Sequence, residues 1–543
     1  MRKGAKWAIV GGVFITLVGG AGYGTYNVVD ALGDDGGGTA KTAAGRTGPP
    51  SDREVRDTAR VFLAAWAKGD AGTAATYTDN REAAERALTG YREDAHIRRV
   101  RLTRGRITDG RVPFSVRATV SYEGRSKRLA YESSFRVVRG RTTGRPLVDW
   151  RASVVHPRLH DGESLETGES AAPPIRAVDR NGQVLTAERY PSLAPVLARL
   201  RTAYGERAGG VAGVELSVRR ASADAGTTTL LTLDKGRPGR LSTTLSAAAQ
   251  RAAEDAVARH PESSVVAVKP STGEVLAVAN HRKDEFNAAF EGELAPGSTM
   301  KIVTAAMLID AGVTTANGPA PCPATATWQS QTFHNLKGLA PDGGATLADS
   351  FARSCNTAFV KLVDEKPLTD ASLARVARVN FGLGQGNWRT GIRSADGSVP
   401  ESGGPDRAAN ALGQGQVQLN PLNLASVTAT ATTGSFRQPV LVPKSYLEGE
   451  VATARGLSGG TVAQLRQMMR RTAVSGTGAR AMAGLGGDVG AKTGSAEVDG
   501  QARPNSWFTG YRGDVAAAAV AQEGGHGGDT AGPIVAAVLR AGG

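Results

Sequence analysis

Twenty-three consecutive residues without a formal charge, Trp7 to Val29, follow Arg2, Lys3 and Lys6 and end at Asp30. This run constrains the chain more than any other feature, because it decides which solvent the remainder folds in. At ~1.5 Å per residue, a helix of that length crosses a hydrocarbon core of ~30 Å. The basic flank favours a cytoplasmic amino end. The expected plan is a cytoplasmic tail over residues 1–6, a single-pass transmembrane signal anchor over 7–29 and a flexible Gly-rich linker over 30–50. Everything beyond then lies at the outer face of the cell membrane. A competing reading takes Gly19-Gly20-Ala21 as a small-residue cleavage site that releases the protein. No cysteine stands near the run to carry a lipid.

The chain has 543 residues, enough for two to four domains, and its 40% hydrophobic and 21% charged residues are ordinary for a globular protein. A formal charge of +14 raises a nucleic-acid reading. The densest basic stretch, Ile97 to Arg111, argues against it: no aromatic residue is interleaved for base stacking, and the charges alternate as on a solvated strand. Such a surface tolerates anionic lipid headgroups or wall polymers. Two cysteines, Cys322 and Cys355, build neither a disulfide scaffold nor a four-ligand zinc site. Outside the cytoplasm one bridge between them is expected; two small buried thiols are the alternative.

Structured sequence begins near Ser51 with an amphipathic helix, Val55 to Ala67, whose Val55, Ala59, Phe62, Leu63 and Trp66 share a face. Period-two patterning predicts strands over Val112–Tyr122, Arg128–Val138 and Leu147–His156. Together these define a small α+β domain over 51–158. His156 and His160 are spaced i, i+4, but Pro157 between them and the lack of an acidic partner argue against a metal. A connecting pedestal over 159–235 contains a predicted helix, Pro191 to Ala203. The last domain, 236–543, opens with a helix over Leu245–Arg259, a hairpin over Ser264–Asn280 and a helix over Ser298–Ala311. It closes with strands over Gly487–Lys492, Ser506–Tyr511 and Val515–Gln522 and a helix over Ala531–Ala541.

Pro296 and Gly297 break the chain before an apolar periodic run, so Ser298 is expected at a helix amino terminus. Orphan N–H groups there favour negative charge on the serine oxygen, and Lys301, three residues on, lies one turn away. Such a lysine takes the serine proton only if burial or a second cation lowers its pKa, and Lys492 is the candidate cation. Alone, a serine three residues before a lysine is weak evidence. Ser354-Cys355-Asn356 falls within a predicted helix, Ala348 to Val363, and Lys492-Thr493-Gly494-Ser495 ends a predicted strand. The segment Gly486 to Thr493 superficially suggests a phosphate-binding loop, but Ala491 stands where that loop needs glycine.

A serine–lysine pair, then Ser-x-Asn 56 residues later and Lys-Thr-Gly another 138 residues on, resembles the three signature motifs of penicillin-binding proteins and serine β-lactamases. Gly413-Gln414-Gly415 with Asn420-Pro421-Leu422, and Asn505 to Tyr511, resemble two further family segments, so the likeness covers about Gly239 to Gly543. Asp179-Arg180-Asn181-Gly182 resembles a segment of the monofunctional class B proteins, although Pro174 and Ile175 stand where that class has Arg-Gly. The 51–158 domain resembles the nuclear-transport-factor-like domain of methicillin-resistance-type class B proteins.

The resemblance implies an α+β multidomain protein whose penicillin-binding domain holds an antiparallel sheet between helical layers. It implies a peptidoglycan D,D-transpeptidase needing no cofactor and no metal: Ser298 attacks a D-Ala-D-Ala stem peptide, Lys301 accepts its proton and Ser354 relays the proton to the leaving amine. Asn356 holds the substrate amide, Lys492 and Thr493 hold the terminal carboxylate, and the N–H groups of Ser298 and Ser495, beside Gly494, form the oxyanion hole. β-Lactam antibiotics would acylate Ser298, and a partner protein would polymerise the glycan. The rival readings are a D,D-carboxypeptidase or β-lactamase using water as acceptor, and a membrane-anchored β-lactam sensor. Only six residues precede the run, too few for a signalling domain.

Overall fold

The computed structural model describes residues 48–170, 172–220 and 227–542, so the expected membrane-spanning run and nearly all of its linker lie outside the described residues. Among the described residues no helix is long and apolar enough to cross a membrane.

The first domain is built on the helix Asp52–Lys68. Ser51 and Glu54 form a reciprocal capping box at its start, satisfying two orphan N–H donors, and Gly69 ends it in the left-handed conformation at φ 85°. Its predicted apolar face is buried, with Phe62 edge-on to Phe135 at 5.3 Å and Trp66 edge-on to Phe114 at 5.6 Å between ring centroids. The opposing surface is an antiparallel sheet in the order Ile97–Arg104, Arg111–Tyr122, Arg125–Arg139, Pro146–Val148. Side chains alternate along its second strand between this core and solvent.

One expected strand is corrected here. Leu147–His156 is strand only to Val148, and Ala152–Val154 is a 3₁₀ turn. Beyond Val148 the chain leaves the sheet, and Val154 and Val155 are buried in the first domain's core. Ser133 Oγ then donates to the carbonyls of Ser153 and Val154, which the turn takes out of any ladder.

Residues 159–235 contribute to two cores and have none of their own. Leu165, Leu216 and Val218, on the strands Ser164–Glu169 and Val214–Arg219, join the first domain's core. Leu185, Tyr190, Val196 and Leu200 join that of the last domain. Asp179 explains the turn that follows it: Oδ1 accepts from the N–H groups of Asn181 and Gln183, both at 2.8 Å, and Oδ2 from Ala247 N at 3.1 Å. That last bond ties the pedestal to the first turn of the helix Ala247–Val257.

The last domain is organised by a five-stranded antiparallel sheet in the order Val275–His281, Ser263–Val268, Val515–Ala521, Asn505–Arg512, Val489–Ala496. Both faces are covered, so its strands are almost wholly buried. Val266, Val278, Ala516 and Ala518 face one core, which contains the helices Pro421–Thr433 and Lys301–Asp310. Val265, Ala277, Ala517 and Ala519 face another, with Ala247–Val257 and Ala531–Gly542. Alanines along Val515–Ala521 let helices approach closely from both sides. Val489–Ala496 is the edge strand, and its free side is where the segment around Ser298 docks.

Candidate active site

Ser298 is set on its strand-side perch by glycine. Gly297 has φ +54°, and a Cβ there would lie 2.4 Å from the carbonyl oxygen of Ser495, so only glycine lets the turn lie against the edge strand. The turn is pinned on its other side by Gly297 N donating to Gly413 O at 2.8 Å. The helix predicted over Ser298–Ala311 begins as a 3₁₀ turn, Gly297–Met300, and becomes α-helical from Lys301 to Asp310. With about three residues per turn, side chains at i and i+3 eclipse. Lys301 is thereby brought onto Ser298, with Nζ 3.0 Å from Oγ.

Lys301 has no exposed surface. Its Nζ also donates to Ser354 O at 2.9 Å and Asn356 Oδ1 at 2.7 Å, and lies 5.3 Å from the centre of the Phe359 ring. Burial pushes its pKa well below the usual lysine value, and the Lys492 ammonium pushes the same way, only weakly opposed by Glu497. Lys492 is equally buried, lies 5.4 Å from the Phe351 ring centre and is lowered to about 7 by burial. Its Nζ donates to Ser354 Oγ and to Thr493 O, both at 2.8 Å. Ser354 therefore bridges the two lysines, its carbonyl accepting from one and its hydroxyl from the other.

That bridge depends on a feature that periodicity concealed. The expected continuous helix Ala348–Val363 is two helices, Leu347–Ala352 and Asn356–Leu362, and Ser354 between them has φ +59°. A non-glycine residue there stores strain of about 1–2 kcal/mol and persists only where the surroundings impose it. Cys355 is disulfide-bonded to Cys322, with the sulfurs 2.17 Å apart, and both residues are buried. Asn335 holds the second helix from outside. Its Oδ1 accepts from Asn356 N at 2.7 Å and Thr357 N at 3.1 Å, while Nδ2 donates to Pro323 O at 2.8 Å and Thr357 Oγ1 at 3.0 Å.

These groups converge on a cleft of about 290 Å³. Ser298, Ser354, Asn356, Thr493, Gly494 and Ser495 line it, whereas Lys301 and Lys492 lie beneath its floor. Residues that sequence reasoning missed complete the walls. Thr477 faces Thr493 with hydroxyls 2.6 Å apart, and Gln414 and Glu497 hydrogen-bond to each other where both line the cleft. Leu336, Lys337, His526 and Asp529 stand at the rim. Thr477 was readable only as part of a Gly-rich turn, and nothing in the run around Asn335 signals that it caps a distant helix.

Comparison with known proteins identifies the family. The penicillin-binding protein transpeptidase domain matches residues 263–540, and the NTF2-like N-terminal transpeptidase domain matches residues 54–163. The chain is 30% identical over 371 residues to the peptidoglycan D,D-transpeptidase PbpA of Mycolicibacterium smegmatis, across 56% of this chain and 74% of that one. It is 29% identical over 370 residues to PbpA of Mycobacterium tuberculosis, across 56% and 72%. The D,D-transpeptidase domain of a peptidoglycan glycosyltransferase from Eggerthella lenta superposes with a TM-score of 0.53 at 21% identity, across 69% of this chain and 98% of that one, a likeness of fold. The chain belongs to the penicillin-binding protein transpeptidase family, in its class B form with an NTF2-like N-terminal domain.

Proposed function

We propose that this chain cross-links peptidoglycan stem peptides through an acyl-enzyme on Ser298. The observation that carries the reading is the 3.0 Å contact between Ser298 Oγ and an ammonium with no exposed surface. A lysine buried beside a second lysine is neutral for part of the time, and only then is it a base.

In the neutral state Lys301 takes the Ser298 proton as Oγ attacks the carbonyl of a D-Ala-D-Ala terminus. The N–H groups of Ser298 and Ser495 receive the oxyanion. Collapse breaks the C–N bond, and the proton reaches the departing D-alanine amine from Lys301 through Ser354. An acceptor amine then attacks the ester, its proton returns by way of Lys301, and Ser298 is restored. Asn356 orients the donor peptide. The paired hydroxyls of Thr477 and Thr493 hold its carboxylate at the cleft wall, while Lys492 supplies charge from beneath. A β-lactam opens by the same attack, but its leaving nitrogen stays tethered and blocks the acceptor.

The uncharged run Trp7–Val29 anchors the protein to the cell membrane with the catalytic domain outside. The domains divide as 51–158, 159–235 and 236–543, the first two serving as a stalk. The stalk matches an NTF2-like domain, and glycan polymerisation is assigned to a partner protein. Intact mass spectrometry after penicillin, followed by peptide mapping, tests the nucleophile: the adduct is expected on Ser298 and absent from Ser298→Ala, and an adduct elsewhere refutes the assignment. Release of labelled penicillin within seconds would instead mark a hydrolase. Full cross-linking in cells carrying only Ser298→Ala would mark a sensor or scaffold.

A further inference from the structure

The solvent face of the first domain's sheet is an array of arginines that violates the usual rule of strand pairing. Arg101 stands directly opposite Arg117, and Arg111 directly opposite Arg136. On the next row Thr119 lies between Arg98 and Arg128. Like charges placed opposite one another across strands are destabilising. All six arginines are exposed, and Glu132, an acid on the same face, is in register with Ser115 rather than with an arginine.

Some arginines of the domain are paired, Arg81 with Glu85, Arg86 with Glu82 and Arg139 with Glu54. Among the described residues no ion pair involves Arg98, Arg101, Arg111, Arg117, Arg128 or Arg136, and Arg111 reaches only Ser134 Oγ. A self-repelling array on a folded sheet is relieved by an external polyanion. We infer that this face docks on the anionic headgroups of the membrane in which the chain is anchored.

Where the chain begins supports the membrane over other polyanions. Arg139, at the end of the strand that carries Arg128 and Arg136, donates to the carbonyls of Gly48 and Pro49. The 18 residues between Asp30 and Thr47 separate that point from the uncharged run. Eighteen residues reach at most about 60 Å even when fully extended, so the sheet stays within reach of a membrane that holds the uncharged run. Attraction there is short-ranged, fading over about 8 Å at physiological salt, and acts only on a surface already tethered nearby. Docking would hold the first domain against the bilayer and so fix the position of the transpeptidase cleft.

The inference rests on the anchor reading, and the test separates the two. The full chain is incorporated into phosphatidylcholine nanodiscs with or without phosphatidylglycerol, and arginine modification by phenylglyoxal is mapped by mass spectrometry. With phosphatidylglycerol, labelling of Arg101, Arg117 and Arg128 is expected to slow about five- to tenfold and to recover at high salt, while exposed Arg470 and Arg540 are unchanged. The double variant Arg101→Glu, Arg117→Glu should lose protection at Arg128 and keep full acylation by penicillin, which certifies the fold. Equal labelling in both lipids overturns the inference. So does protection given only by a soluble phosphodiester wall polymer, which would assign the face to the wall. A chain that fails to enter nanodiscs refutes the anchor; co-sedimentation of that chain with phosphatidylglycerol vesicles then still supports the face, and no binding overturns it.

Discussion

Replacing Asn335 by alanine should cripple acylation although Asn335 performs no chemistry. Its amide receives hydrogen bonds from Asn356 N and Thr357 N and donates to Pro323 O and Thr357 Oγ1. The first two cap the helix Asn356–Leu362, whose first residue also supplies the acceptor for Lys301 Nζ. Loss of a side-chain cap costs about 0.5–2 kcal/mol. The half-buried N–H groups left behind add about 1 kcal/mol more, giving about 1.5–3 kcal/mol in all. Asn356 then loses one of the constraints that hold its Oδ1 2.7 Å from Lys301. A displacement approaching 1 Å in such an array lowers rates by about 100-fold. The second-order acylation rate with a fluorescent penicillin should fall about 10- to 100-fold, with the adduct still on Ser298. Asn335→Asp keeps the acceptor oxygen for both N–H groups and should recover part of the rate. An Asn335→Ala enzyme that is destabilised by the full amount yet acylates at the wild-type rate would show that the cap serves folding alone.

Gly297→Ala places a Cβ 2.4 Å from Ser495 O at φ +54° and must push the nucleophile off the edge strand; acylation should drop at least about 100-fold while the circular dichroism spectrum is retained, and a smaller loss would mean the oxyanion site is elsewhere. The acylation rate should be bell-shaped in pH. As pH falls Lys301 gains a proton and the base is lost; as pH rises through about 7 Lys492 loses its proton and the pull on the substrate carboxylate weakens, so Lys492→Met should flatten the alkaline limb. His156 is held neutral by burial, with its pKa lowered to about 4. The unfolded chain takes up that proton first, so stability is complete above pH about 6.5 and declines toward about 4. The loss, discounted for partial solvent screening, is about 2 kcal/mol, and thermal melts of His156→Gln should lose this pH dependence.

Much of the molecule was legible in the sequence because it rests on local rules. Alternation placed two strands of the first sheet, since one covered face demands it, and the helix Val55–Ala67 followed from its apolar stripe, although its start at Asp52 and its capping box were not read. The pairing of Ser298 with Lys301 is a matter of three residues on one turn. Reading failed where distant parts of the chain overrule local preference. The run Ala348–Val363 has helical periodicity throughout, yet Ser354 is forced to φ +59° because its carbonyl and hydroxyl must each meet a different buried lysine. The strand expected to His156 stops at Val148, and Val154 and Val155 pack into the core beyond it.

The sequence by itself determined which side chains are candidates for the chemistry and in what order along the chain they come. Only the tertiary structure decided their state. Two lysines 191 positions apart are both stripped of water, and the cost of charging them there lowers the pKa of each. Desolvation and repulsion depend on what surrounds a group from every side, and no window of sequence contains that. The same holds for Asn335 and Thr477, whose roles exist only because the fold brings them to a helix end and a strand end far away in the chain.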